Sequence, residues 1–221
     1  MHWQNGAQQY TNDAGEESVV TSTSDGRTAR GERTRRAVID AHIALIEAGE
    51  LKPTGAQIAE QAGISLRALW ANFNDLETLF GTTGAELLSR QDTMFVPVSP
   101  DLDLPERVDK FCAQRGKLLE FIAPYARAAG LREPFSRELR TNRMRHIARV
   151  TDEIEVLFAR ELAPLPASRR TQTIQALGIA STWASWSVLR DEYGLDVDGA
   201  TAVMRQTVAA LLAAAVHASL G

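Results

Sequence analysis

A chain of 221 residues with 44% hydrophobic and 24% charged side chains can bury a sizeable core, as one large or two modest domains, and its net charge is −4. Its single cysteine, Cys112, excludes an internal disulfide and any cysteine-based zinc cluster, and fits a reducing compartment. No run approaches the roughly 18 apolar residues of a membrane span, and the N-terminus is polar and acidic where a leader would be basic and then apolar, so a cytoplasmic protein without a membrane partner is expected.

Residues 1–28 lack periodicity, are rich in Gln, Asn, Ser, Thr and Gly, and carry Asp13, Glu16, Glu17 and Asp25 with no basic residue before Arg27; they read as a disordered acidic tail. Residues 1–26 hold the whole charge deficit of −4, because residues 27–80 carry seven basic and seven acidic groups and residues 81–221 carry 17 of each. Residues 27–36 then hold five arginines against one glutamate, with Arg30 and Arg33 in the middle. Two readings stand: an arm that neutralises phosphates and reaches into a narrow minor groove, or the solvated start of a helix. A first helix is expected from about Arg30 to Ala48, with Val38, Ile39, His42, Leu45 and Ile46 inward and Gly49 as its stop.

Residues 54–76 read as a short helix, a tight turn and a second short helix. Thr54 with Gln57 makes a capping box, Ile58 and Ala59 face inward, Ala62 and Gly63 end the helix, and Ser65 caps the next. Leu66, Leu69 and Phe73 recur as one buried stripe, which leaves Arg67, Ala68, Trp70, Ala71 and Asn72 on other faces. The pattern predicts a helix-turn-helix whose second helix is short enough to enter a major groove. Its placement directly after the arginine run favours the arm reading. Asn74 with Glu77 suggests another capping box, opening a helix that runs through Leu79, Phe80, Leu87 and Leu88 to about Met94.

A Pro-rich link follows, with Pro97, Pro100 and Pro105, and is one candidate domain boundary. Beyond it the pattern is helical over about 105–128, 133–163, 167–191 and 197–219, punctuated by Gly130, Pro164, Pro166 and Gly194. No strand alternation is visible, so the class is all-α. The histidines (His2, His42, His146, His217) are scattered, and no His-Glu-x-x-His, Gly-rich phosphate loop, nucleophile elbow or paired-cysteine motif occurs. No enzyme, metal or cofactor is therefore expected.

The segment Thr54, Ile58, Ala59, Ala62, Gly63, Ile64, Ser65, Leu69, Phe73, followed by Leu76-Glu77-Thr78-Leu79-Phe80, resembles the DNA-binding domain of the TetR family of transcriptional regulators. The resemblance covers residues 30–90 and extends more weakly to Trp183, Trp186, Leu189, Arg190, Gly194 and Leu195. It implies a helix-turn-helix domain over 29–80 joined through its fourth helix to a helical effector-binding and dimerisation domain over 81–221. The chain departs from the family's pattern at Trp70 and Asn72, and at Leu76, where many members place a phosphate-contacting lysine.

The implied function is a homodimeric repressor that binds a double-stranded DNA operator and is released by a small, largely apolar effector. Arg30, Arg33, Thr54, Ser65, Leu66, Arg67, Trp70 and Asn72 are the expected DNA-binding residues. Arg67 suits paired hydrogen bonds to guanine, or else a phosphate contact or an intrahelical ion pair. Trp70 suits a ring packed on the sugar-phosphate backbone or a core anchor, and Asn72 suits adenine or the helix end. For the effector, Phe111, Phe121, Tyr125, Phe158, Trp183 and Trp186 are the aromatics available to line a pocket. Arg137, Arg140, Arg143, Arg145 and Arg149 read as a solvated face from which one arginine could turn inward to clamp a carboxylate. Val188 and the band of Val203, Met204, Val208, Leu211, Leu212, Ala215 and Val216 are the expected dimer surface, against the alternative of an ordinary core helix. The absent lysine at Leu76 and the neutral balance of residues 27–80 leave room for a second reading, a ligand- or protein-binding module of the same fold with weakened DNA contact.

Overall fold

The computed structural model describes residues 20–218, with side chains from 28 to 217. Every regular element among them is helical: α1 Val20–Glu47, α2 Gly55–Gln61, α3 Leu66–Asn72, α4 Leu76–Met94, α5 Leu104–Gly130, α6 Arg137–Leu157, α7 Ala159–Leu162, α8 Ala167–Ala180, α9 Trp183–Ser187 and α10 Val197–Ala218. A 3-10 turn at Glu133–Phe135 precedes α6 and a π turn at Val188–Glu192 follows α9. The class is all-α, as expected.

Several boundaries differ from the sequence reading. Helix α1 begins at Val20, so residues 20–28, read as part of a disordered tail, are helical; residues 1–19 of that tail lie outside the described residues. Once a helix is nucleated, each further residue adds a hydrogen bond at little cost, and no proline stops this one. The cap of α4 is Asp75, whose Oδ1 accepts the Thr78 N–H at 2.7 Å, in place of the Asn74–Glu77 box. A carboxylate at the positive end of a helix is the better acceptor, and Glu77 is left to accept the Ser136 hydroxyl at 2.8 Å. The long helix expected over 133–163 breaks at Phe158 (φ −110°, ψ 23°), which turns into the core against Phe111 with centroids 5.6 Å apart. The one expected over 167–191 ends at Ala180; there Ser181 Oγ bonds back to the Leu177 carbonyl at 2.7 Å and Thr182 caps α9.

Two apolar cores result. The first gathers Val38 and Ile43 of α1, Ile58 of α2, Leu69 of α3, Phe73, and Leu79 and Leu87 of α4. The second, larger one holds Val108, Phe111, Leu119, Ile154, Leu177, Trp186, Met204, Val208 and Leu212. Between them a small cluster of Ile46, Phe80, Ala128 and Leu139 ties α1 and α4 to α5 and α6. The Pro-rich link does not separate cores, since Val98 and Leu104 on either side of Pro100 pack against the larger one. Helix α4 is shared, with Leu79 and Leu87 in the first core and Phe80 in the bridging cluster. Gly81 and Gly84 let α4 approach closely: a Cβ at Gly84 would lie 2.2 Å from the Tyr125 hydroxyl, and one at Gly81 2.2 Å from Glu138.

Helix α10 corrects the composition argument. Its stretch Val197–His217, with mean hydropathy 1.4, is long and apolar enough to cross a membrane by length and composition, and 28% of that stretch is buried within the chain. It packs against α5, α7 and α8 through Met204, Val208, Leu212 and Ala215.

Candidate nucleic-acid interface and the cavities beside it

The caps read from the sequence at Thr54 and Ser65 form. Thr54 Oγ1 accepts the Gln57 N–H at 3.3 Å while Gln57 Oε1 accepts the Thr54 N–H at 2.8 Å, and Ser65 Oγ accepts the Ala68 N–H at 3.2 Å. The turn between them pivots on Gly63 at φ 65°, a conformation only glycine adopts without strain. Leu69 and Phe73 hold α3 to the frame at 0% and 1% exposure. Leu66 does not share their stripe: it is 45% exposed, beside Trp70 at 39%. At the first residue of a two-turn helix, Leu66 has no turn below it to pack on. The outward face of α3 is thus Leu66, Arg67, Trp70 and Ala71.

Arg67 forms no hydrogen bond or ion pair among the described residues, which removes the intrahelical pair as its role. Trp70 lies against the start of α2, where a Cβ on Gly55 would come within 2.4 Å of its ring. The glycine is what lets the indole sit there, half packed and half in solvent. Asn72 does not face outward as a base reader: its Nδ2 donates to the Ala68 carbonyl at 2.8 Å, and its own carbonyl accepts from Arg35 at 2.9 Å. Thr54 is also spent locally, its hydroxyl donating to Gln57 Oε1 at 2.8 Å.

The arginine run is helical, so its described part is not an extended arm. A helix about 10–12 Å across does not enter a minor groove about 6 Å wide. Arg35 lies 4.4 Å over the Phe73 ring and Arg36 pairs with Glu86 at 2.7 Å, so both hold α1 to the frame. Arg30 and Arg33 remain exposed and without ion pairs among the described residues. With Arg67 and Lys52 they are exposed cations of this frame whose side chains carry no ion pair among the described residues. Behind this surface His42 is fully buried, its Nδ1 2.8 Å from Thr83 Oγ1 and its ring edge-on to Phe80. Burial, and then the charge of Arg132, pull it down to about 4.

Of the aromatics expected around an effector, Phe111, Phe158 and Trp186 are fully buried in the larger core and line neither of the two cavities beside α4. Trp186 fills space and donates its Nε1–H to Glu120 at 2.7 Å. Phe121 packs toward the first core. Tyr125 and Trp183 do line a cavity of about 130 Å³ between α4, α5 and α6, together with Leu87, Leu88, Ile122 and Leu139. Tyr125 also donates to the Phe80 carbonyl at 2.9 Å, and Asn142 to the Gly81 carbonyl at 3.0 Å, so the cavity wall holds α4 directly.

A larger cavity of about 460 Å³ lies beside it, lined by Phe95, Pro97, Val98, Leu118, Val150 and Leu157 and by the charged Asp92, Arg115, Arg149, Asp152 and Glu153. Gln91 and His146 line both. The basic stretch of α6 is mostly solvated: Arg137, Arg140 and Arg145 are exposed, Arg143, also exposed, pairs with Glu133 beside the smaller cavity, and Arg149 pairs with Asp92 beside the larger one. The inward arginine comes from α5. Arg115 follows Val108, Phe111 and Cys112 at helical spacing, so a cation on an apolar stripe was the signal that could have found it.

For the dimer surface, Met204, Val208, Leu212 and Ala215 are 4% exposed or less and belong to the core, so the stripe they form is used within one chain. A helix this apolar carries two faces, and the inner one took the largest side chains. Leu211 is half-buried, Val188 and Val203 are 44% and 39% exposed, and Ile179 on α8 is 65% exposed. Leu165, Ala176, Leu211 and Ala214 line a shallow groove between α8 and α10.

In comparisons with solved structures, the chain is similar to a transcriptional regulator from Rhodococcus sp. Rha1, with a TM-score of 0.56 and 13% sequence identity over 83% of this chain and 96% of that one. No protein-family model and no curated protein sequence matches it. At this identity the likeness establishes the fold: an all-α architecture that this chain shares, over nearly the full length of the neighbour, with a transcriptional regulator.

Proposed function

We propose that the chain is a homodimeric, sequence-specific DNA-binding repressor of the TetR type, acting in the cytoplasm without enzymatic activity and released from its operator by a small molecule. The observation that carries this reading is the exposed, unpaired face of α3 around Arg67, set on a capped frame whose next helix, α4, also lines both cavities. One such module buries too little surface for operator-grade affinity, so two are needed, with their recognition helices roughly 34 Å apart. The outer faces of α8 and α10 supply the apolar surface for that pairing. Occupying a cavity pushes on Leu87, Leu88 and Gln91, and the tie from Tyr125 and Asn142 to the α4 backbone passes the movement toward Leu79 and Phe80. The two reading heads then lose their spacing. The likeness to the Rhodococcus regulator is in keeping with this role.

A fluorescence-anisotropy titration of the full chain against the DNA immediately upstream of its own gene, at about 50 and about 200 mM salt, tests it. Specific binding that falls steeply with salt is expected, because each neutralised phosphate releases counterions. A second reading, a binding module with weakened DNA contact, is favoured by the acidic opening of α4 at Asp75 and Glu77 and by the internal use of Arg35 and Arg36. Absence of binding at the lower salt would select it.

A further inference from the structure

Helix α5 carries two buried arginines two turns apart, and they are treated differently. Arg107, 2% exposed, meets Glu161 through both of its terminal nitrogens and donates to the Leu157 carbonyl at 2.7 Å. Arg115, 3% exposed, has no carboxylate partner among the described residues. One of its terminal nitrogens donates to the Ser181 carbonyl at 3.0 Å and lies 3.5 Å from His146 Nε2, while its Nε has no hydrogen-bond partner there. Its balancing charge is that of Glu153, which acts on it through space without a salt bridge, and a buried guanidinium held so loosely gains from an anion that joins it directly. This one lines the 460 Å³ cavity, whose surface is mostly apolar.

We propose that the larger cavity is a binding site for a small amphipathic carboxylate, its head group on Arg115 and its apolar body along Val98, Leu118, Val150 and Leu157. The planar fork of an arginine matches a carboxylate's two oxygens. His146 is kept neutral by burial and by Arg115 and Arg149, which pull it down to about 4, so it adds no second charge. The other charges facing the space are accounted for: Arg149 and Asp92 pair with each other, Asp152 is exposed, and Glu153 takes a hydrogen bond from Gln114 at 3.4 Å without reaching Arg115. Glu153 opposes an incoming anion; burial raises it above the usual carboxylate range, against the Arg115 charge, the Gln114 hydrogen bond and the Arg149 charge, which lower it.

This deepens the proposed effector role and rests on it only for its consequence, not for its test. Isothermal titration of the full chain, without DNA, compares octanoate, octan-1-ol and octylamine. Octanoate is expected to bind at least about tenfold more tightly than the alcohol, with no saturable binding of the amine. Arg115→Gln should abolish that preference, and Glu153→Gln, which leaves Arg115 in place, should strengthen octanoate binding several-fold. Equal affinity for acid and alcohol, preference for the amine, no binding of octanoate, or an unchanged Kd in both variants would overturn the site. Octanoate that binds but leaves operator affinity unchanged would keep the site and remove only the effector role.

Discussion

Arg67 and Arg33 are both exposed arginines of the N-terminal frame, yet they stand on helices with different tasks. In the proposed function Arg67 projects from the helix that reads bases, α3, and Arg33 from α1, which stays outside the groove. Arg67→Ala should cost about 1–3 kcal/mol at one base position and relax preference there. Arg33→Ala should weaken binding to all sequences alike and lower the salt slope by about 1. Binding measured on a set of single-base operator variants separates the two; equal loss of preference from both would remove the role of Arg67. His42 bears on stability instead, as does His146, which is depressed to the same value. The folded-state value of His42 is depressed to about 4 from 6.5, so below pH 6.5 the unfolded chain takes up a proton that the folded chain refuses. Stability should therefore fall as pH drops from about 6.5 to about 4, by roughly 3 kcal/mol from this residue, and urea titrations of wild type and His42→Gln should show a flatter pH slope in the variant.

At the scale of single elements, what was legible in the sequence was what local chemistry decides. Thr54 with Gln57, Ser65 and Gly63 are short-range devices, and each formed as read. The breaks at Phe158 and Ser181 were not legible, because helix propensity runs through both. Only the arrival of the Phe158 ring beside Phe111, and of the Ser181 hydroxyl on its own helix, stops them. Of the two readings open for Asn72, the structure takes the helix end, because an amide there has the Ala68 carbonyl one turn back within reach. Close approach between elements is equally invisible until partners are known, as at Gly55. Gly55→Ala should displace the Trp70 ring and tilt α3 against α2. The expected outcome is a loss of operator affinity of about tenfold or more, with the α-helical circular dichroism spectrum unchanged.

For the whole molecule, periodicity told apart apolar stripes but not which stripe faces a neighbour from the same chain and which faces another. Phe111, Phe158 and Trp186 went to the core, and Met204, Val208 and Leu212 to the face of α10 turned inward. The inward cation at the larger cavity is Arg115, on an apolar stripe of α5, whereas the density of the α6 arginines marks a solvated face. The outer groove between α8 and α10 is the remaining candidate for self-association. Ile179→Asp with Ala214→Glu should convert a dimer to a monomer in sedimentation velocity and lower operator affinity with it. A wild-type chain that sediments as a monomer at micromolar concentration would remove the dimer from the proposal.

Cys112, sealed at 0% exposure in the larger core and pushed up to about 12 by burial, has one more use. A thiol in that state is inert to alkylating reagents at neutral pH. Iodoacetamide should label the native protein only as fast as helices α5 and α10 part, so the untouched polypeptide carries its own clock for how often its interior breathes, and an occupied cavity should slow that clock.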